Sequence, residues 1–283
     1  MRIRSCFVFA LILFVFFFAK NASCEDKPVW ELGIGAALLQ IPDYRGSDEN
    51  RLYVFPYPYF VYRGDMIKVD KQTISGKIFN TDRIVLDASI YGSVPVKSSN
   101  NTARTGMPDL DPTFEIGPAL NISLLPDTHK YCRLNLSLPV RAFFSTDFSS
   151  VRHEGWVFSP RIIFEKDDII PKTGLNLGIS AGPMFADSSY NDYYYTVEPV
   201  CATETRRTYS AGGGYSGSTL TVGLSKTYEQ LIIHAFVSAD FLHGAVFEDS
   251  PLVKNKTSIM SGVNISWIFL KSSKTTTSEK NRK

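Results

Sequence analysis

The chain has 283 residues, of which 44% are hydrophobic, 13% aromatic and 20% charged, with a formal net charge of +2. That length accommodates one large β-barrel or two ordinary domains. The balance excludes a disordered tail, a collagen-like repeat and a strongly basic nucleic-acid binder, and the only long apolar run lies at the N-terminus, which excludes a polytopic helical membrane protein.

Arg2 and Arg4 precede an unbroken apolar stretch of 14 residues from Cys6 to Ala19. As a helix it would rise about 21 Å, short of a bilayer's hydrocarbon core. Ala22 and Cys24 fit the −3 and −1 positions of a small-residue cleavage site, which predicts a signal peptide over residues 1–24, cut between Cys24 and Glu25. A lipidated Cys24 and an uncleaved anchor are the alternatives. Cleavage leaves 27 basic and 28 acidic residues, and without the tail from Lys271 onward the body carries 22 against 27. The basic character therefore belongs to the two ends, and no nucleic-acid surface follows from it.

From there the chain alternates with period two. Ile84, Leu86, Ala88 and Ile90 oppose Asp87, Ser89 and Tyr91; Leu134, Leu136, Leu138 and Val140 oppose Asn135, Ser137 and Arg141. The same holds for Leu175, Leu177 and Ile179 against Asn176, Gly178 and Ser180, and for Ile259, Val263, Ile265, Trp267 and Phe269 against Gly262, Asn264 and Ser266. Candidate strands are 30–40, 51–63, 66–77, 83–94, 112–125, 131–144, 155–166, 174–186, 217–227, 231–241 and 258–270. Such files suit a soluble sandwich or a transmembrane barrel. Three features favour the barrel. The runs reach about ten residues, the length needed to cross a bilayer. Aromatics such as Tyr53, Phe55, Tyr57, Tyr59, Phe143, Phe144, Trp267 and Phe269 stand at strand ends, as interfacial girdles would. The opposite face is Gly, Ser, Asn and Asp, where a soluble core needs bulk.

The prediction is an all-β, transmembrane antiparallel barrel of the bacterial outer membrane, spanning 25–270 with 10–12 strands, followed by a polar, basic, disordered tail over 271–283. Connections alternate between short ones (78–82, 126–130, 167–173, 228–230) and longer ones (95–111, 145–154, 187–216, 242–257). This places the short turns and the tail in the periplasm. Eleven candidates are an odd number. Either 30–40 is not a wall strand, or Tyr193–Val197 supplies a twelfth. On either topology Cys132 and Cys201 lie at opposite rims, about 25 Å apart, beyond disulfide reach, and are predicted to be free thiols.

Chemistry-bearing motifs have plainer readings beside them. Asp109 and Asp111, between Pro108 and Pro112, suit a cation pair or, better, two turns capped by carboxylates. Gly212-Gly213-Gly214 lacks the following Lys and helix of a phosphate loop and reads as a flexible connection. Arg63-Gly64-Asp65 spells an adhesion tripeptide but suits a tight turn. His234, Ser238 and Asp240 share the candidate lumen face, so a hydrolase triad at the rim is geometrically open, without a nucleophile-elbow signature. Arg141, Asp87 and Asp240 are candidates for a lumenal charge network. Tyr190, Tyr193, Tyr194 and Tyr195 read equally as a binding surface or an outer girdle. No catalytic residue, metal site or cofactor motif is assigned.

Ordered short stretches carry a resemblance. They include Ile41-Pro42-Asp43-Tyr44-Arg45-Gly46-Ser47, Phe55-Pro56-Tyr57-Pro58-Tyr59, Glu115-Ile116-Gly117-Pro118, Phe158-Ser159-Pro160-Arg161, Ala181-Gly182-Pro183-Met184-Phe185-Ala186-Asp187 and Gly244-Ala245-Val246-Phe247-Glu248-Asp249-Ser250-Pro251. Together with further matches to Phe269 they resemble the MipA/OmpV family of outer-membrane proteins, the MltA-interacting proteins. The resemblance implies an outer-membrane barrel in contact with lipid. It also implies a non-enzymatic scaffold linking a lytic transglycosylase to a penicillin-binding protein in murein synthesis. The alternatives are a small-solute pore or uptake protein and, third, a lipid-modifying enzyme. Outer-membrane barrels commonly end at an aromatic residue, which Phe269 resembles, whereas this chain continues to Lys283.

Overall fold

The computed structural model describes residues 28–63, 67–70, 73–76, 83–125 and 131–274. The signal peptide, the Cys24–Glu25 cleavage site, Gly64, Asp65 and the end of the basic tail lie outside the described residues. Thirteen strands follow in order: β1 (Trp30–Pro42), β2 (Asn50–Arg63), β3 (Ile67–Asp70), β4 (Thr73–Gly76), β5 (Ile84–Ser93), β6 (Thr113–Ser123), β7 (Cys132–Thr146), β8 (Val151–Phe158), β9 (Arg161–Lys166), β10 (Leu175–Ala186), β11 (Gly214–Tyr228), β12 (Leu231–Phe241) and β13 (Thr257–Lys271). All pair antiparallel in one sheet. The first and last strands form a seam from Glu31↔Lys271 to Gln40↔Ser261, and β4 lies beside β5, so the sheet closes as a barrel. Among the described residues no helix is long and apolar enough to cross a membrane; strands do the crossing.

The wall has twelve positions, because β8 and β9 together fill one place between β7 and β10. The single strand expected at 155–166 breaks at Ser159-Pro160, where proline offers no N–H to the ladder. The strand expected at 66–77 is instead the hairpin β3–β4, with ladder pairs from Ile67↔Gly76 to Asp70↔Thr73. That hairpin restores the even count. Tyr193–Val197 does not: Tyr193 to Tyr195 close a helix, α1 (Ser188–Tyr195), the one α-helix among the described residues. The 30–40 segment is a full wall strand, β1.

Alternation decides which way each side chain points. Outward files include Val54 (69% exposed), Ile259 (57%), Ile34, Leu38, Val222 and Ile265. In water they would form an apolar belt far larger than soluble monomers tolerate, so the belt faces lipid. Aromatics frame it. Phe114, Phe144, Trp156, Phe158 and Phe185 stand near one rim, and Trp30, Tyr62, Trp267 and Phe269 near the other. Five residues expected in these girdles do not belong to them. On β2 the inward file is Tyr53, Phe55, Tyr57 and Tyr59, while Pro56, Pro58 and Phe60 face out: inside the barrel Tyr57 Oη bonds Ser266 Oγ across the seam (2.8 Å) and Tyr59 donates to Glu31 of the neighbouring β1 (3.2 Å). Phe143 also faces in and is fully buried, whereas its neighbour Phe144 stacks on Phe114 outside.

Mid-strand Leu38, paired with Val54 and Val263, supplies a direct test of this inside-out order. Leu38→Arg is expected to cost about 2–4 kcal/mol in urea unfolding from lipid vesicles, against less than about 0.5 kcal/mol for the inward Ala37→Ser. Equal stabilities for the two variants would refute the lipid-facing assignment.

The ends of the barrel differ. The start of β1, the end of β13, the end of β6, the start of β7 and the short connections 167–174 and 229–230 share one rim; the long connections 43–49, 94–112, 187–213 and 242–256 share the other. Bacterial barrels of this arrangement hold the short turns in the periplasm and the long loops outside.

Candidate functional site

The four long connections do not splay into solvent. They fold over the mouth around a core of their own, in which Tyr44, Val96, Leu110, Tyr195, Val197, Leu242, Phe247 and Leu252 are buried. α1 leads this cap. Asp187 caps its N-terminus, accepting from Tyr190 N–H (2.9 Å) and, with its other oxygen, from Trp156 N–H on the wall (3.0 Å). Gly155, at φ +129°, permits that approach; a Cβ there would sit 2.2 Å from Asp187 Oδ1. At the far end of α1 the Tyr195 ring lies flat on Phe247, with centroids 3.6 Å apart, and its hydroxyl donates to the Arg45 carbonyl (2.9 Å). Ser250 donates to the Tyr195 carbonyl (2.7 Å) and Tyr44 to that of Leu252 (2.8 Å), so three loops meet at one ring.

Buried guanidinium groups cross-link the rest. Arg206 donates to the carbonyls of Cys201, Ala103 and Thr105, tying 187–213 to 94–112. Arg104 donates to the carbonyls of Tyr194 and Pro108 and lies over the Tyr44 ring. Each replaces lost hydration with several oriented carbonyls.

Burial pushes the hydroxyls of Tyr44, Tyr190, Tyr194 and Tyr195 well above the ordinary 10.0, and that of Tyr193 up to about 12. These groups fold neutral and ionise more readily when released. Their contribution is therefore complete below pH 10 and is lost as the pH rises towards 12 and beyond. Alkaline titration is expected to expose the loops to protease, together with tyrosinate absorption displaced above pH 10, before the barrel itself unfolds. Tyrosines that ionise near 10 with the loops still protected would contradict the packed cap.

Beneath the cap the lumen carries two ion pairs on facing walls. Arg45 descends from the first loop to pair with Asp240 of β12 (3.2 Å), donates to the Ser216 carbonyl (2.8 Å), and shares Asp240 with the Thr219 hydroxyl (2.5 Å). Opposite, Arg141 of β7 pairs with Glu115 of β6 (2.7 Å) and donates to Ser89 (3.4 Å) and Ser159 (2.9 Å). Tyr91 of β5 is 56% exposed although it points inward, so the space beside it is open to water. Its electrostatic contacts reach both pairs. β5 and β12 stand six places apart in a ring of twelve, so Tyr91 looks across the lumen's full width. The β1–β2–β12–β13 side is instead filled by Tyr57, Tyr59, Val61, Ile232 and Ile268.

The residues singled out in the sequence fall as follows. Asp87, Arg141 and Asp240 all face the lumen but form no single network: Asp87 accepts from Asn121 (3.0 Å), and the other two belong to the separate pairs above. His234, Ser238 and Asp240 share a face without meeting. Four residues of extended strand put His234 about 13 Å from Ser238; Ser238 bonds Thr221 (2.8 Å) and Asp240 is held by Arg45. The tyrosine quartet is neither outer girdle nor open surface: Tyr190, Tyr193 and Tyr194 surround the inward ring of Phe143, at 4.6, 5.4 and 5.7 Å. Asp109 accepts from Ser98 N–H (2.6 Å) and Asp111 pairs with Arg152 (2.6 Å), so the two carboxylates act separately in turns. Gly213 lies against the start of α1, where a Cβ would be 2.8 Å from Ser188 N. Arg63 ends β2. Cys132 opens β7 at the turn rim and Cys201 lies in the cap at the other, both free. Sequence reasoning missed Arg45, Glu115 and Arg161 as lumenal residues; the inward register of Glu115 opposite Tyr91 was the available signal for one of them.

The family described as MltA-interacting protein MipA matches residues 34–269. No curated protein matches the chain. Among solved structures it is similar to an outer membrane channel from Pseudomonas putida F1 (TM-score 0.45, 9% identity, 88% of this chain and 99% of that one). It is also similar to a bacterial polysaccharide outer membrane secretin (0.42, 8%, 87% and 100%). A third similar structure is the Pseudomonas putida toluene transporter TodX (0.28, 10%, 87% and 71%).

Proposed function

Since this chain belongs to the MltA-interacting protein MipA family, we propose that it is a non-enzymatic scaffold in the outer membrane of a Gram-negative bacterium. Its periplasmic rim holds a murein hydrolase of the lytic transglycosylase type and, beside it, a penicillin-binding protein. Family membership over 34–269 carries the reading. The capped mouth supports it: a barrel whose outer opening is sealed by a folded core is a rigid platform that fixes partners at the membrane. Such a platform raises their mutual concentration without chemistry of its own. The turn rim offers exposed Tyr131, Ile170 and Tyr228 as contact groups. The N-terminal signal peptide and its cleavage after Cys24 belong to the same proposal, since export must precede assembly.

Affinity capture from detergent extracts tests it. Recovery of a murein hydrolase and a synthase is expected, with loss of both on Tyr131→Glu plus Tyr228→Glu. A folded barrel that captures neither overturns the scaffold. One observation favours a second reading, a small-solute pore: Tyr91 borders water-accessible space inside the barrel. Discrete openings of the unmodified protein in planar bilayers would select that reading.

A further inference from the structure

Two cations, Arg141 and Arg161, and one carboxylate, Glu115, are electrostatic neighbours on the wall formed by β5 to β9, where Asp87 accepts from Asn121. Arg141 is matched by Glu115. Arg161 opens β9 on the inward face, opposite Ser137, and is exposed although it lies inside the barrel. Its electrostatic neighbours are Arg141, Tyr91 and Glu115, and among the described residues no carboxylate stands within ion-pair range of it. A second cation beside Arg141 raises the local potential, which the single neighbouring carboxylate, Glu115, offsets only in part.

The polar groups around Arg161 are donors. Ser89 and Ser159 each accept from Arg141 through their oxygens, which leaves both hydroxyl hydrogens to be given elsewhere. Among the described residues neither hydrogen has an acceptor, nor does the Tyr91 hydroxyl, which stands two residues along the same inward face as Ser89. Gly117 makes the cluster possible. A Cβ there would fall 2.8 Å from the Arg141 Cα, and its absence lets Arg141 reach across β6 to Ser89. Above, the α1 residues Tyr190 and Tyr194 close the space from the loop side.

We propose that this wall is a binding site for a small anion bearing a carboxylate or phosphate group, held by Arg161 with Tyr91, Ser89 and Ser159, under the cap. Two serine hydroxyls gathered by Arg141, with the Tyr91 hydroxyl and the Arg161 guanidinium as its neighbours on the same wall, are complementary to several oxygens sharing a negative charge. A cationic solute would be repelled by the two guanidinium groups, and a neutral one would leave the charge of Arg161 without a partner. The site is independent of any partner at the turn rim, so it stands or falls apart from the scaffold.

The test is calorimetric titration of the full barrel in detergent with inorganic phosphate and, separately, succinate. Saturable binding of at least one is expected, weakened by added salt. Whichever binds identifies the source chemistry. Arg161→Gln is expected to weaken that binding about tenfold or more, and Arg161→Lys less. Arg152→Gln, which removes an exposed guanidinium from the loop rim, is expected to leave it unchanged. Folding of each variant is checked by heat-modifiable migration, and the lysine variant keeps the charge should the glutamine variant not assemble. The proposal is overturned if neither anion binds, or if Arg152→Gln weakens binding as much as Arg161→Gln does.

Discussion

Replacing Phe247 with alanine is expected to turn a closed barrel into a conducting one. Its ring is fully buried and lies flat on Tyr195, the residue through which three loops are joined. Removing a buried aromatic costs about 3–5 kcal/mol, transfer and cavity together. The cap is a small local unit tied to the wall mainly by Asp187, Arg45 and the Phe143 cluster, so such a loss is a large share of its own stability. The wall strands do not depend on Phe247 for their hydrogen bonds. Planar-bilayer recordings should therefore show new, discrete openings, and limited proteolysis should cut within 187–213 or 242–256, while migration of the unboiled barrel stays unchanged. Phe247→Leu, which keeps most of the volume, should stay largely closed. Silent bilayers and protected loops in the alanine variant would mean that the mouth is sealed by something other than this stack.

The contrast between wall and cap explains how much was legible beforehand. β13 announced itself because lipid requires Ile259, Val263, Ile265 and Trp267 at alternate positions and the lumen accepts Gly262, Asn264 and Ser266 between them. One solvent boundary per face leaves a periodic record. On β2 both faces are apolar, with Pro56 and Pro58 outside and Tyr57 and Tyr59 inside, so the period survives but its direction cannot be read from composition. The cap leaves no period at all. Tyr44, Leu110, Tyr195 and Phe247 come from four separate connections and become a core only when the barrel brings those connections to one rim. The ion pairs are hidden for the same reason: Arg45 and Asp240 are near opposite ends of the chain, and only the β1–β13–β12 order makes them neighbours. Conversely, His234, Ser238 and Asp240 looked promising because a shared face is visible in sequence, whereas the distance along an extended strand and the partners already taken are properties of the fold.

Arg141→Ala should destabilise the barrel more than any other single lumenal change, by about 3–5 kcal/mol, because it strands the buried Glu115 carboxylate. The pair is desolvated on both sides, and each charge is tolerated only for the other's sake. The cost therefore reports the uncompensated charge rather than the worth of the contact. It follows that Glu115→Leu alone should be damaging too, while Arg141→Met combined with Glu115→Leu should recover most of the loss, since an apolar pair of similar volume has no charge to solvate. Urea unfolding from lipid vesicles for the wild type, both single variants and the double gives the coupling directly. Additive losses would show that water reaches Glu115 freely and that the pair is an ordinary surface contact. Recovery in the double variant would show instead that the Arg141–Glu115 pair itself is shielded from water, although Tyr91 beside it borders water-accessible space.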